Sequence, residues 1–172
     1  MTRSLLKHIF WGHLPKLNKS NEQILKVLNK NALFEEMSDG DLLWLLDRHL
    51  HLRKYENGEW VFKEDELGLG CYVILNGTVN LSTPEGVLLK TTGDLFGEIS
   101  FADGQKRLTG AQCNEECTIL GLFKSELNVI EQQKPHIAFK ILYQLNNILA
   151  QRVRLSLKNL SPSYSLEEKA IP

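Results

Sequence analysis

The middle of this 172-residue chain consists of short runs of β-branched and aromatic residues that alternate with turn residues. This pattern predicts short strands rather than long helices. Turns are predicted at Asn57-Gly58, Asn76-Gly77 and Glu85-Gly86. Strands are predicted near residues 49–54, 59–62, 70–75, 78–82, 86–91, 95–96, 111–114 and 118–123. Many short strands at this spacing favour a β-sandwich or a closed β-roll.

The clearest signal for paired strands is the segment "CYVILNGTVNLS", residues 71–82. Its Asn-Gly dipeptide separates two apolar runs, and Asn-Gly tolerates the positive φ angles of a tight hairpin turn. The segment therefore predicts a hairpin whose two strands pair with each other.

Helical patterns flank the strands. Residues 1–31 are predicted to form a basic helical extension that Pro15 divides. Ser38 is a suitable N-cap for a short helix, with Asp41 as its acidic partner three positions later. A further short helix is predicted over residues 124–133.

The last helical segment begins at Pro135 and continues to Leu160 without glycine or another proline. At roughly 1.5 Å per residue it would be nearly 40 Å long. Since a single roll cannot cover an apolar stripe of that length, we expect part of it to contact a partner helix, for instance in a homodimer through residues 135–160. The predicted seam consists of Ala138, Leu142, Leu145, Leu149, Val153, Ser156 and Leu160, and Ile137, Ile141 and Ile148 broaden its apolar face.

These elements predict an α+β fold that is mainly β, a jelly-roll-like β-roll flanked by N-terminal helices and a long C-terminal helix. The predicted divisions are a helical extension over 1–31, the roll over 32–134, the long helix over 135–160 and a tail over 161–172.

Composition and charge argue against several classes of protein. The formal net charge of −1 does not indicate a nucleic-acid binder. No apolar run approaches the roughly 20 residues that span a bilayer. The first twenty residues lack the apolar core of a secretory signal, and we do not expect them to contact a membrane. We expect a cytoplasmic protein whose cysteines, Cys71, Cys113 and Cys117, are buried and reduced.

The stretch "GDLFGEISFADGQKRLTG", residues 93–110, carries the residues that point to a ligand. Gly97 has no side chain, so backbone and ligand can approach each other closely. Residues 99–102 make about one helical turn, whose amides point back towards Gly97 and suit an anion. Arg107 adds a permanent positive charge and a planar set of donors that fit a phosphate.

Glu98 must contact another part of the same ligand, because a carboxylate repels an anion. Carboxylates accept hydrogen bonds from hydroxyl groups. A ligand with a phosphate beside a sugar hydroxyl satisfies both residues. A nucleotide whose phosphate is cyclised onto the ribose 3′ oxygen, with the 2′-OH free, fits this description.

Residues 32–160 resemble the cyclic-nucleotide-binding domain family, which includes the catabolite activator protein and the regulatory subunits of cAMP-dependent protein kinase. The most specific part is the family's phosphate-binding cassette, here residues 96–109. Its pattern F-G-E-[LIM]-[AS]-[LF]-x(5)-R is matched by Phe96, Gly97, Glu98, Ile99, Ser100, Phe101 and Arg107. The resemblance implies that Arg107 pairs with the cyclic phosphate and Glu98 with the ribose 2′-OH. It also implies that the amides of Gly97, Ile99 and Ser100 line the cradle.

The chain departs from the family pattern directly after the arginine. Leu108 and Thr109 stand where the family usually has Thr, Ser or Ala followed by Ala, and Gly110 and Ala111 replace larger residues. Leu108 keeps an amide for the phosphate but lacks the hydroxyl found in cGMP-selective members. We therefore expect cAMP rather than cGMP as the ligand, and a degenerate cassette that binds nothing remains the alternative.

The resemblance also implies that the long terminal helix closes over the pocket. Ser156 falls where the activator protein uses a hydroxyl against the adenine amino group. Arg152 and Arg154 are nearby alternatives that could stack on the base.

The cassette has one acid and one arginine, with no second carboxylate opposite and no metal-ligand spacing, so we predict a binding module rather than an enzyme. The resulting hypothesis is a stand-alone sensor that acts through an unknown effector protein. Few residues follow Leu160, so we expect no direct DNA binding through the helix-turn-helix domain of the family's transcription factors. The alternative hypothesis is a ligand-independent interaction or scaffold domain.

Overall fold

The computed structural model of the protein describes residues 19–84 and 86–160. The strands are β1 Leu50–Tyr55, β2 Trp60–Phe62, β3 Gly70–Asn76, β4 Val79–Thr83, β5 Gly86–Lys90, β6 Leu95–Phe96, β7 Ala111–Cys113 and β8 Cys117–Phe123. They form a β-roll of two antiparallel four-stranded sheets, with the strand orders β1-β8-β3-β6 and β2-β7-β4-β5. Each lies within one or two residues of its predicted position, and the predicted α+β fold class is confirmed.

Five helices are described around the roll within these residues. They are α1 Lys19–Leu28, α2 Asp39–Arg48, α3 Glu98–Asp103, α4 Lys124–Gln133 and α5 Pro135–Leu160. The Ser38 side chain accepts a hydrogen bond from the Asp41 amide at 3.2 Å, which confirms the predicted N-cap. The predictions for residues 1–18 and for the tail at 161–172 lie outside the described residues, and the predicted domain divisions stay predictions.

The hairpin predicted at Asn76-Gly77 is wrong. The turn itself forms, since Gly77 has a φ of 93°. However, β3 pairs with β6 and β8, whereas β4 pairs with β5 and β7, so the turn carries the chain from one sheet to the other. The pairing of β3 with β8 shifts its register between Ile74 and Asn76, directly before this turn.

Strand β3 is buried on both faces because it lies between two apolar cores. Cys71 and Val73 face the core that the helices cover, whereas Tyr72 and Ile74 face the core between the sheets. This explains why the strand is apolar throughout instead of alternating. All three cysteines are buried and unpaired, as predicted, and burial raises the pKa of the Cys71 thiol.

The buried face of α5 combines two residues of the predicted seam, Ala138 and Leu145, with two of the isoleucines predicted to broaden it. Ile137, Ala138, Ile141 and Leu145 are at most 3% exposed, whereas Leu142 and Val153 are 49% and 58% exposed. The roll and α4 cover mainly the N-terminal half of α5, which leaves much of the later half in solvent. Among the described helices, none is long and apolar enough to cross a membrane.

Candidate phosphate-binding site

The backbone of the cassette forms a sharp turn between β6 and α3. Gly97 follows β6 with a φ of 74°, a left-handed conformation that strains any residue with a Cβ. Helix α3 then ends at Gly104, whose amide donates to the Ser100 carbonyl at 2.9 Å. The first amides of α3 have no acceptor within the helix, so the turn supplies unpaired donors directly after β6.

Arg107 points into the protein. Arg107 is 3% exposed. Its Nη1 donates a hydrogen bond to the Gly97 carbonyl and its Nη2 donates one to the Gly70 carbonyl, each at 2.6 Å. The guanidinium carbon lies 4.0 Å from the ring centroid of Phe62 and 5.5 Å from that of Tyr72. These contacts hold the guanidinium beside the cassette turn.

Gly97 is the residue that permits this approach. A Cβ placed at Gly97 would lie 2.8 Å from Arg107 Nη1 and 3.2 Å from the Phe62 ring. Real side chains do not tolerate the first distance. The glycine is therefore needed both for its φ angle and for the space that Arg107 occupies.

Glu98 acts on the charge of Arg107 only from a distance. Among the described residues, no ion pair joins Arg107 to an acid. Its Nε is buried and has no hydrogen-bond partner. Burial lowers the pKa of the guanidinium, while the neighbouring Tyr72 opposes this shift. A buried cation with an unused donor suits an anionic ligand.

Glu98 lies at the start of α3 and is 1% exposed. Its Oε1 accepts a hydrogen bond from Nη1 of Arg152, which lies on α5. Arg152 Nη2 also donates to the Leu95 carbonyl at 3.5 Å. Glu98 Oε2 is buried without a hydrogen-bond partner. The long C-terminal helix is therefore connected to the cassette through one ion pair, and one carboxylate oxygen remains unused.

The other predicted cassette residues differ in exposure. Phe96 is fully buried, and Ser100 is buried with its hydroxyl donating to the Lys106 carbonyl at 3.1 Å. Ile99 is 40% exposed. Their contacts with a ligand stay predictions.

Leu108 is 68% exposed, so its side chain does not fill the interior beside Arg107. Thr109 is partly buried, and Ser156 is exposed on α5, four positions after Arg152. Residues four apart lie on the same side of a helix, so Ser156 lies one turn beyond the residue that contacts Glu98.

The loop between β2 and β3 holds the second half of the cassette, a contact that the sequence analysis did not predict. The Arg107 amide donates to the Glu66 carbonyl at 2.8 Å, and the Asp65 amide donates to the Arg107 carbonyl at 3.0 Å. A Cβ at Gly68 would lie 2.2 Å from the Ser100 side chain, so the loop packs tightly on α3. The closely spaced Gly68 and Gly70 were the one available signal for this contact.

The groups at this site are charged groups and hydrogen-bond donors and acceptors. Within residues 19–84 and 86–160, no cluster of three or more His, Cys, Asp or Glu side chains could hold a metal ion. The arrangement offers a buried guanidinium, a helix start and a buried carboxylate oxygen. Such groups bind a phosphate and a hydroxyl of one ligand.

A family model describes the same region of the chain. Residues 52–134 match the model of the cyclic nucleotide-binding domain. The chain carries a domain of the cyclic nucleotide-binding family. This match includes the cassette turn, Arg107 and the loop that holds it, and it confirms the family resemblance seen in the sequence.

Curated relatives belong to different functional classes. The cyclic AMP receptor protein of Thermus thermophilus is 29% identical over 108 residues, which cover 59% of this chain and 48% of the relative. A cyclic nucleotide-gated potassium channel of Rhizobium etli is 24% identical over 106 residues, which cover 62% of this chain and 30% of the channel. The chain thus matches about half of the receptor and less than a third of the channel.

Solved structures show the same fold. A cyclic nucleotide-binding domain from Methylobacillus flagellatus superposes with a TM-score of 0.72 at 24% identity, covering 88% of each chain. The catabolite activator protein of Thermus thermophilus superposes with a TM-score of 0.66 at 26% identity, covering 76% of this chain and 62% of that chain. These two solved structures therefore share the fold of this chain.

Proposed function

We propose that this domain is a non-enzymatic cyclic-nucleotide sensor that prefers cAMP to cGMP. The observation that carries the proposal is Arg107, a buried cation that forms no ion pair with a described carboxylate and whose Nε has no hydrogen-bond partner. A cyclic phosphate beside Gly97 would supply both the missing negative charge and the missing acceptor. The amides of Ile99 and Ser100, with those of Leu108 and Thr109, are proposed to complete the cradle.

Glu98 is the proposed acceptor for the ribose 2′-OH. Its Oε2 is buried without a partner, while Arg152 occupies Oε1. Burying an oxygen of a carboxylate without a hydrogen bond is costly, so a ligand hydroxyl at Oε2 would stabilise the domain. Ser156, Arg152 and Arg154 remain the proposed candidates for contacts with the base.

The output is proposed to pass through α5 to an effector protein or a second copy of the chain. Arg152 joins α5 to the cassette, so a ligand at Glu98 would change the position of this helix. Large apolar side chains are exposed along α5, which favours a protein contact there; they are Phe139, Leu142, Tyr143, Val153, Leu155 and Leu157.

Calorimetry and thermal melting with cAMP and cGMP test the sensor. At cAMP concentrations of about 100 times Kd, the ligand should stabilise the fold by about 2.7 kcal/mol, which raises Tm by several degrees. Arg107→Ala should abolish this rise. Lys106→Ala is the matched control, because Lys106 is the exposed neighbour and pairs only distantly with Asp65 at 4.0 Å. Absence of any heat or Tm change in the wild type with either nucleotide would refute the sensor.

A ligand-independent scaffold is the second candidate. Leu108 departs from the family pattern, and Arg152 already satisfies one oxygen of Glu98 from within the chain. A scaffold would melt at the same temperature with and without nucleotide, and Arg107→Ala would not change its response.

A further inference from the structure

The guanidinium of Arg107 lies against an aromatic face where an acid would be expected. Phe62, 4.0 Å from the guanidinium carbon, lies on β2 in one sheet. Tyr72, at 5.5 Å, lies on β3 in the other sheet. The two rings therefore support the same side chain from both sheets.

The Phe62 ring is itself fixed in place. Its centroid lies 5.7 Å from that of Tyr72 and 5.9 Å from that of Phe96, with interplanar angles of 29°. Phe62 is 5% exposed, so the stack of three rings excludes water from this side of Arg107. A packed ring of this kind has a single orientation.

A ring and a carboxylate stabilise a buried guanidinium in different ways. A carboxylate would cancel the charge and compete with an incoming phosphate. The aromatic quadrupole attracts the cation but carries no net charge. The carbonyls of Gly97 and Gly70, which accept from Nη1 and Nη2, are also neutral. Arg107 is therefore held by neutral groups without a direct ion pair, so its positive charge stays available to an anionic ligand.

We propose that Phe62 is a positioning residue for the phosphate-binding arginine. It acts through Arg107 and does not itself contact the nucleotide. Removing the ring leaves the guanidinium without its platform, so binding a phosphate must then also order the side chain. This inference rests on the proposed nucleotide function.

Three variants separate positioning from general stability. Phe62→Leu removes the ring but stays apolar, and Phe62→Tyr keeps the ring. Val61→Ala, on the same strand and 4% exposed, removes packing without removing the ring. We expect Phe62→Leu to weaken cAMP binding about tenfold, equivalent to about 1.4 kcal/mol. The other two variants should stay within about threefold of the wild type, although Val61→Ala lowers Tm.

A spectroscopic measurement without nucleotide accompanies the titrations. The Arg107 Nε–H should show a ring-current shift in ¹H–¹⁵N spectra. Phe62→Leu should reduce this shift to the smaller part that comes from the Tyr72 ring at 5.5 Å, whereas Val61→Ala should keep it. If Phe62→Leu does not fold, Phe62→Met takes its place, since methionine fills irregular apolar space.

The outcomes distinguish the two proposals. A wild type that binds no cyclic nucleotide refutes the proposed function and, with it, the positioning role. A wild type that binds, with Phe62→Leu within about twofold of it, overturns the positioning role alone. Equal weakening by Phe62→Leu and Val61→Ala also overturns it, because the ring would then act through stability.

Discussion

Arg152 on α5 donates a hydrogen bond to Glu98 on α3, and this pair connects the long terminal helix to the cassette turn. The carboxylate is 1% exposed, whereas the arginine side chain is 36% exposed. Removing the arginine would thus leave the buried charge of Glu98 without a partner. The stability lost in this way is larger than the net contribution of the intact ion pair.

Arg152→Ala should therefore lower the free energy of unfolding by about 2 kcal/mol. This loss is smaller than that for a fully buried ion pair, because the Arg152 side chain is partly exposed to water. For a chain of this size this corresponds to a fall in Tm of roughly 4–8 °C. Arg154→Ala is the control, since Arg154 is an exposed arginine on the same helix and should change stability by less than about 0.5 kcal/mol. Equal Tm values for the two variants would show that the ion pair does not stabilise the fold.

The close approach at Gly97 leads to a second prediction. Gly97→Ala introduces both a left-handed alanine and a clash with Arg107 Nη1, which would lie 2.8 Å from the new Cβ. Gly58 has a similar φ of 77°, but no atom lies within 4 Å of its Cβ position. Gly58→Ala should cost about 1 kcal/mol from φ strain alone. Gly97→Ala should cost clearly more and should also abolish nucleotide binding, as measured by thermal melting and calorimetry. A similar loss of stability in both variants would mean that the Arg107 side chain moves away from the new methyl group without an energetic cost.

Local patterns predicted the elements well and their partners poorly. The bounds of α4 and α5 agree with their predictions, and so do the strand positions. Asn-Gly at 76–77 predicts a turn because the positive φ is a local property. The strand that pairs with β3 is β8, which lies more than forty residues later in the chain, and no local signal predicts this pairing. The same limit applies to α5, because the sequence marks its apolar residues but not which of them are buried against the rest of the domain and which stay exposed.

The candidate site could likewise be predicted only in its local part. Gly97, Glu98 and Arg107 could be identified because they lie close together in one stretch with a recognisable spacing. Phe62 comes from a distant strand and looks in the sequence like any core residue. The pairing of Glu98 with Arg152 joins residues 54 positions apart, and only the fold brings them together.

The identity of the residue after Arg107 provides a third prediction. Leu108 is 68% exposed, so a substitution there should leave the folded structure almost unchanged. Leu108→Thr supplies the hydroxyl that the family's cGMP-selective members have, and should improve cGMP affinity relative to cAMP by about tenfold through one added hydrogen bond. Leu108→Val is the control, because valine has nearly the same shape as threonine but no hydroxyl. It should leave the ratio of cGMP affinity to cAMP affinity unchanged. Competition titrations with both nucleotides measure this ratio. A ratio that shifts equally in both variants would assign the effect to shape.

Asp41 provides a prediction about pH. Its carboxylate lies 3.4 Å from Lys140 Nζ and 3.6 Å from His136 Nε2, and thus joins α2 to the start of α5. Burial by itself raises the pKa of Asp41, but hydrogen bonds with Ser38 and Lys140 and the charge of Lys140 outweigh it, so the pKa lies below the ordinary 3.8. A carboxyl whose pKa is lower in the folded state stabilises the fold above its unfolded pKa, and this contribution disappears as the pH falls through the folded pKa.

Wild type should consequently be more stable than Asp41→Asn at pH 7, by about 0.5 kcal/mol, since the pair is partly exposed to water. The difference should shrink below about pH 4, where the unfolded chain takes up the proton first, and should vanish once Asp41 is protonated in the folded state as well. Urea unfolding of both proteins between pH 7 and pH 3 measures it. Salt at about 1 M should reduce the difference at pH 7 by screening the pair. A stability difference that stays constant across the whole pH range would show that the charge of Asp41 contributes nothing, leaving its hydrogen bonds to account for the effect.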